Sequence, residues 1–580
     1  VKWSSNLGKL EPAVREATAR LDSGRFSARL WERDGSLWKS DPGAQRQIKT
    51  ALGWLTVGRD TLAGLETIRE FAEQARQQGF KYAVLLGMGG SSLCPDVCAA
   101  TFGTAPGFLE LQVLDSTVPA GVLAAEKSVQ LDKTLFIVSS KSGGTIETLS
   151  FYKYFYDLVR GVKGDAAREN FVAITDPRTP LERLAREKKF RAIFPGAEDV
   201  GGRFSALSVF GMVPAALAGV KVKTLLERGE EMARACGPQA PAAENPGVAL
   251  GAILGAAART GRNKLTFVTS PAISTFGDWV EQLVAESTGK DGQGIVPVVH
   301  EYLGAPEVYC DDRIFVSIRL ADDADERAEQ QLRALEAAGH PVVRIELRDK
   351  LDLGAEFFRW EIATAAAGAL LGINPFDQPN VAESKDNTAR LLAEHQKAGG
   401  FKAAAPLAED SELKLFAGAS TRISAREKSG DAAVREVLEK FLDLAREGDY
   451  IALLPYLEPT EVHRALVRSI RMRLRDAHRA ATTTGFGPRY LHSTGQLHKG
   501  GANQGLFLLI TAEDSEAVPI PGEPYSFSVL KLAQALGDFQ ALEAKQRRVL
   551  RAHLTENVRA GLDRLLSAVE GALEKRKGRR

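Results

Sequence analysis

The chain predicts an α/β protein of several units, each a largely parallel sheet sandwiched between helices. Short continuous runs of branched or aromatic residues, such as Val84-Leu85-Leu86 and Leu135-Phe136-Ile137-Val138, suit strands covered on both faces of a parallel sheet. These runs alternate with helical patterns and end in turn chemistry, for example Asp115-Ser116-Thr117 and Thr175-Asp176-Pro177, which is the rhythm of βαβ units. A length of 580 residues exceeds one core and calls for about three or four units.

Residues 1–60 carry helical periodicity with an extended stretch at 31–38, and are expected as an N-terminal wrapping segment. Residues 61–236 form a first α/β domain, with strands at 83–86, 111–114, 135–138 and 171–174. A Pro/Gly/Ala-rich stretch at 237–247 marks a boundary, and residues 237–402 form a second α/β domain with strands near 265–268, 314–318 and 342–345. Residues 403–413 read as a further linker. Residues 403–580 form an additional C-terminal α/β region, with strands at 450–454 and 506–510 and helices at 460–480 and 528–541. A faint internal parallel makes this region a candidate diverged duplicate: His300 lies 15 residues before Phe315, His492 lies 15 before Phe507, and each of these begins an apolar run.

Composition excludes several classes. With 44% hydrophobic and 26% charged residues and a net charge of +1, the chain is an ordinary globular protein and not a disordered, fibrous or nucleic-acid-binding one. Its four cysteines, Cys94, Cys98, Cys236 and Cys310, are sparse and irregularly spaced, which fits a reducing compartment. Cys94 and Cys98 can share a helix face, but no histidine lies near them, so no metal site is expected. No apolar run reaches a membrane span and no signal-peptide pattern opens the chain, so the expected location is cytoplasmic. A start at valine suggests further residues upstream, and the basic end 575–580 reads as a solvated tail.

Two loops carry the first functional signal. Gly87-Met88-Gly89-Gly90-Ser91-Ser92 and Ser139-Ser140-Lys141-Ser142-Gly143-Gly144-Thr145 each follow a strand and precede a helix. Loops at the carboxyl ends of parallel strands meet helix N-termini, whose free N–H groups and positive dipole end attract phosphate. Glycines let the backbone approach, and in the second loop four hydroxyls surround the cation Lys141. The first loop alone also suits a dinucleotide turn or a plain tight connection, but the Gly-Lys-Ser/Thr ending of a nucleotide P-loop and a well-placed ribose-binding acid are missing.

A second signal is a set of polar groups on later elements. Phe276, Trp279, Val280, Leu283 and Val284 define an apolar helix face over 276–290, and Gln282 and Glu286 lie four apart on one side of that helix. A glutamate shielded by apolar neighbours can move a carbon-bound proton. Arg203, between Gly202 and Phe204, can bring a rigid guanidinium to a substrate oxygen. Asn374-Pro375-Phe376-Asp377-Gln378, followed by Lys385, adds a further polar group after an apolar helix at 363–371.

Taken in order, Gly87-Met88-Gly89-Gly90-Ser91, Ser140 to Thr148, Gly201-Gly202-Arg203-Phe204-Ser205, Gln282 with Glu286 to Lys290, and Phe376-Asp377-Gln378 with Lys385 resemble the phosphoglucose isomerase family of the sugar-isomerase (SIS) fold, over roughly residues 50–400. The resemblance extends to the isomerase part of bacterial transaldolase/phosphoglucose isomerase fusions, and implies a transaldolase domain ahead of Val1. It implies that Gly90, Ser91, Ser140, Ser142 and Thr145 bind the phosphate of a sugar phosphate with help from Lys141. It makes Glu286 the base, working through a cis-enediol, with Arg203 stabilising negative oxygen, Gln282 and Gln378 positioning the sugar and Lys385 assisting ring opening. It implies no cofactor, no metal, no nucleic-acid or membrane partner, and a homo-oligomer. Two departures stand out: Asn380-Val381-Ala382 replaces the family's Gly-Val-Glu, and the family's ring-opening histidine has its nearest counterpart at His492, far beyond Lys385, with His300 and His498 as rivals. A non-catalytic sugar-phosphate sensor needs the loops but no Glu286. An isomerase that also takes mannose 6-phosphate differs only in pocket shape.

Overall fold

The computed structural model describes residues 2–323, 325–402 and 404–577, without the side chains of 575–577, so the reading of the basic end falls outside the described residues. The chain divides into two compact units. One comprises Val1–Asp115, Ala124–His300 and Ile314–Gln378, the other Ser116–Leu123, Glu301–Arg313 and Pro379–Arg580. Among the described residues no helix is long and apolar enough to cross a membrane.

The first unit holds two five-stranded sheets. In one, the strand order is Glu110–Leu114, Tyr82–Gly87, Thr134–Ser139, Phe171–Thr175 and Ala192–Pro195, all parallel. Its central strands are buried along their length, which is why they read as unbroken apolar runs. The other sheet runs Lys2–Asn6, Val342–Leu347, Arg313–Leu320, Lys264–Thr269 and Val296–Val298, with Lys2–Asn6 antiparallel to Val342–Leu347. Beneath it the helix Leu353–Leu371 packs on Pro246–Arg259. A side chain at Gly251 would lie 2.5 Å from the Ala363 carbonyl oxygen and one at Gly255 2.6 Å from Leu370 Cδ1, so small residues set this close approach.

The N-terminal segment differs from expectation in two places. Lys2–Asn6 is a strand, hidden from sequence reading because all five residues are exposed on an edge and carry no alternation. The stretch 31–38 is not extended: the helix Phe26–Trp31 and a 3-10 turn at Gly35–Leu37 occupy it. Its tryptophans are anchored by hydrogen bonds, Trp31 Nε1 donating to the Cys236 carbonyl at 2.9 Å and Trp38 Nε1 to the Ala365 carbonyl at 2.8 Å.

The second unit holds a six-stranded sheet in the order Ala408–Glu409, Leu413–Ala417, Arg548–Leu554, Gly505–Ala512, Tyr450–Tyr456 and Ala481–Thr484. The linker expected at 403–413 is in its described part a hairpin, with Ala408 opposite Leu415 and Asp410 Oδ1 accepting from the Leu413 N–H at 2.9 Å; Ala403 lies outside the described residues. Leu413–Ala417 runs antiparallel to Arg548–Leu554, and the four strands beyond it are mutually parallel. Read inward from the antiparallel strand, this sheet and the second sheet of the first unit share one order: fourth, third, first, then second strand of the local series.

Candidate active site

In the first sheet the strand order reverses between Tyr82–Gly87 and Thr134–Ser139, and Gly87 is paired with Ser139 where both strands end. Both hydroxyl-rich loops therefore leave the sheet side by side at a topological switch point, where α/β proteins form their ligand crevices. Ser139 Oγ donates to the Ser91 carbonyl at 3.1 Å and ties the loops together. Ser140 Oγ lies 2.9 Å from Thr145 Oγ1 and accepts from the Gly143 N–H at 3.1 Å. Gly143 has φ +66° and packs on Thr179, so a side chain there would be both strained and clashing. Thr145 is the N-cap of the helix Ile146–Lys163 and makes no side-chain cap bond, which leaves first-turn N–H groups for an anion. Ser142 is exposed at the loop tip.

Lys141 is placed differently from the loop reading. Its Nζ donates to Asp176 Oδ2 at 2.5 Å and to the Ala197 carbonyl at 2.8 Å. Burial raises the Asp176 pKa and Lys141 opposes that rise. The ammonium thus braces the loop against the next strand's exit instead of standing free among the hydroxyls.

The first loop also touches the arginine turn. A Cβ at Gly90 would fall 2.2 Å from the backbone of Gly202, so glycine is required for the two backbones to meet. Arg203 follows on a short 3-10 turn and is 3% exposed. Its Nε donates to Ser287 Oγ at 2.7 Å, Nη1 to Gln378 Oε1 at 3.0 Å, and Nη2 to the carbonyls of Pro375 at 2.6 Å and Asp377 at 3.0 Å. Nη1 also lies 3.2 Å from Glu286 Oε1. Burial lowers the guanidinium pKa, opposed by Glu286 and Asp377.

Glu286 is carried by the helix Phe276–Thr288, and the other carboxylate oxygen, Oε2, accepts from Gln282 Nε2 at 3.1 Å. The i, i+4 spacing makes this bond and the buried apolar face fixes the helix. A carboxylate held between an amide and a guanidinium inside an apolar wall can accept a carbon-bound proton while the guanidinium steadies developing negative charge.

Ser287, Lys290 and Asp377 were not singled out as site residues in the sequence. Lys290 is 2% exposed and its Nζ donates to the carboxylate of Asp377 at 2.8 Å and to the Asp377 carbonyl. Burial, and next the Arg203 charge, push its pKa down to about 8. Its place four residues after Glu286, in Glu286-Ser287-Thr288-Gly289-Lys290, is the signal the sequence holds.

Lys385 and His492 belong to the second unit. Lys385 is exposed on the helix Val381–Ala398, and half-buried His492 closes the 3-10 turn Arg489–His492. Gln496, on the helix Gly495–Gly500 that follows the His492 turn, bonds the N-cap of the Lys385 helix: its Oε1 accepts from the Asn380 N–H and its Nε2 donates to Asn380 Oδ1, each at 2.9 Å. His498 is buried among the rings of Tyr450, Tyr490 and Phe507, and burial holds its pKa down at about 3. His300, in the first unit, has φ +54° and its Nε2 lies 2.7 Å from Asp278 Oδ1.

A family model described as phosphoglucose isomerase matches residues 65–301. A glucose-6-phosphate isomerase of Methanocaldococcus jannaschii is 30% identical over 351 residues, covering 54% of this chain and 85% of that protein. One of Rubrobacter xylanophilus is 28% identical over 413 residues, covering 62% of this chain and 91% of that protein. Among solved structures, a hypothetical protein of Thermus thermophilus superposes with a TM-score of 0.58 at 26% identity, over 68% of this chain and all of that one (100%). A glucose-6-phosphate isomerase of Chlamydia trachomatis superposes with a TM-score of 0.51 at 18% identity, over 68% of this chain and 89% of that one, and shares the fold.

Proposed function

The chain belongs to the phosphoglucose isomerase family, and we propose that Glu286, Arg203 and Gln282 carry its chemistry on a sugar phosphate held by the two hydroxyl-rich loops. The reaction is the interconversion of glucose 6-phosphate and fructose 6-phosphate. The observation that carries the reading is the contact of Arg203 Nη1 with Glu286 Oε1 at 3.2 Å, which sets a base beside a fixed positive charge. A phosphate sensor has no use for that pair.

In this reading Gly90, Ser91, Ser140, Ser142, Thr145 and the N-terminus of Ile146–Lys163 hold the phosphate, and Lys141 keeps the second loop in shape through Asp176. Glu286 removes the proton on C2 of the open-chain aldose, and the electron pair forms the C1–C2 double bond of a cis-enediol as the C1 oxygen gains a proton. Return of the proton to C1, with loss of the O2 proton, gives the ketose. Arg203 lowers the cost of charge on the oxygens, and Gln282 and Gln378 orient the sugar. Only protons move, so the scheme calls for no cofactor.

Lys385 and His492 are assigned to ring opening on the resemblance, with the helix that follows the His492 turn bonded through Gln496 to Asn380 at the start of the Lys385 helix. A cytoplasmic setting fits the four free thiols. A transaldolase domain upstream and a homo-oligomer remain part of the proposal on the resemblance described above.

The test is a coupled assay of fructose 6-phosphate conversion, with and without EDTA, run beside proton exchange on an acyclic analogue that needs no ring opening. Wild-type protein is expected to convert the sugar equally in both conditions. His492→Ala is expected to lose conversion of the cyclic substrate and keep most of the exchange, while His300→Ala and His498→Ala lack that split. Absence of conversion contradicts the activity, and equal loss in both assays contradicts the role of His492.

A further inference from the structure

The shared strand order of the two mixed sheets allows residue-by-residue comparison. Arg344 lies opposite Ser317 on one side and Ser4 on the antiparallel strand. Arg551 lies opposite Leu509 and, on its antiparallel strand, Phe416. The helix and turn leading into each arginine also match. Gly339 and Gln546, both at positive φ, stand five residues before their arginines. The same two turn bonds close each helix, Gly339 N–H to Glu336 carbonyl and His340 N–H to Leu335 carbonyl in one, Gln546 to Glu543 and Arg547 to Leu542 in the other. Arg344 and Arg551 are therefore equivalent, as are Glu336 and Glu543, and Glu329 and Leu536.

Their charges are treated in opposite ways. Arg344 is neutralised twice, by Glu336 at 2.5 Å and by Glu329 at 3.2 Å, and the groove beside it holds about 600 Å³. In the second unit the Glu329 position is an apolar leucine, and Glu543 instead accepts from the Ala419 N–H. Among the described residues no carboxylate pairs with Arg551. The residue is 9% exposed, and its guanidinium lies 4.0 Å from the centre of the Phe416 ring and reaches Thr511 Oγ1 only at 3.4 Å. Burial alone pulls its pKa down to about 10.

A buried cation without a counter-charge is costly, and a bound anion would supply the missing charge. Arg551 lines a groove of about 1360 Å³, whose walls include Phe401, Phe416 and Phe539 and whose rim carries the exposed cations Arg422 and Lys428. We propose that this groove binds a nucleoside phosphate, Arg551 and the rim cations taking the phosphates and the phenylalanine walls taking the base. The combination of one buried guanidinium, outer cations and aromatic walls matches a ligand with a charged end and a flat apolar end.

The test is calorimetric titration of the full chain with ATP, ADP, AMP and inorganic pyrophosphate. Nucleoside phosphates are expected to bind at one site and more tightly than pyrophosphate. Leu536→Glu, which restores the carboxylate of the equivalent helix, and Arg551→Gln are each expected to weaken binding by about tenfold or more, with isomerase turnover in nucleotide-free buffer unchanged. Ser140→Ala is expected to keep the nucleotide affinity, which separates this groove from the sugar-phosphate loops. Three results overturn the assignment: no binding at millimolar nucleotide, equal affinity in wild type and Leu536→Glu, or pyrophosphate binding as tightly as the nucleotides. Leu536 is half-buried on the groove wall, so Leu536→Glu keeps the test decisive if Arg551→Gln fails to fold.

Discussion

Lys290 shows how a single charge can govern the arginine turn. Its ammonium holds Asp377, whose carbonyl accepts from Arg203, and burial together with the Arg203 charge leaves a pKa of about 8. The protonated form, present below that pH, keeps Asp377 in place. A fall of kcat/KM above about pH 8 is therefore expected in a pH–rate profile, and Lys290→Met is expected to lower activity at neutral pH and remove that limb; an unchanged limb in the variant contradicts the role. Residue types and spacing made Glu286, Gln282 and Arg203 legible. Lys290 was not, because a lysine after a helix-ending glycine reads as solvated and only packing under residues 374–378 buries it. Lys141 read as a cation among the loop's hydroxyls, and its pairing with Asp176 was not legible because Asp176 lies 35 residues away on a neighbouring strand's loop.

The buried parallel strands that form unbroken apolar runs were legible to within a residue or two, but Arg548–Leu554, equally buried, was not, because Arg548, Arg551 and His553 interrupt its run. Elements whose stability comes from an edge or a turn were not: Lys2–Asn6 is exposed at every position and Ala408–Glu409 is two residues long. The second unit also carries histidines that only the folded elements explain. His498 sits among aromatic rings with its pKa at about 3, and His553, beside Thr511, is held by burial at about 4. Both folded pKa values lie below the unfolded value of about 6.5. The unfolded chain therefore binds more protons in that window, and stability is lost as pH falls from about 6.5 through 4 toward 3. For His498 alone the effect is of order a few kcal/mol. Thermal unfolding of wild type between pH 7 and 4 should show a steeper loss of Tm than His498→Phe, whose ring suits the aromatic site; parallel profiles contradict the assignment.

At the scale of the whole molecule, the first unit carries the two hydroxyl-rich loops, Glu286 and Arg203, and the second carries a sheet of matching strand order together with Lys385 and His492. The sequence offered only a hint of that match, two histidines each 15 residues before an apolar run, because the correspondence resides in register and hydrogen bonding and not in shared residues. In the proposed chemistry Glu286 moves a proton between two carbons. That role is tested most directly by following, by NMR in deuterium oxide, the entry of solvent deuterium at C2 of glucose 6-phosphate and C1 of fructose 6-phosphate. Wild-type protein is predicted to exchange as it isomerises, and Glu286→Gln, folded as judged by circular dichroism and Tm, is predicted to exchange at least about a thousandfold more slowly because its amide cannot accept the proton. Exchange at the wild-type rate by Glu286→Gln would contradict the claim.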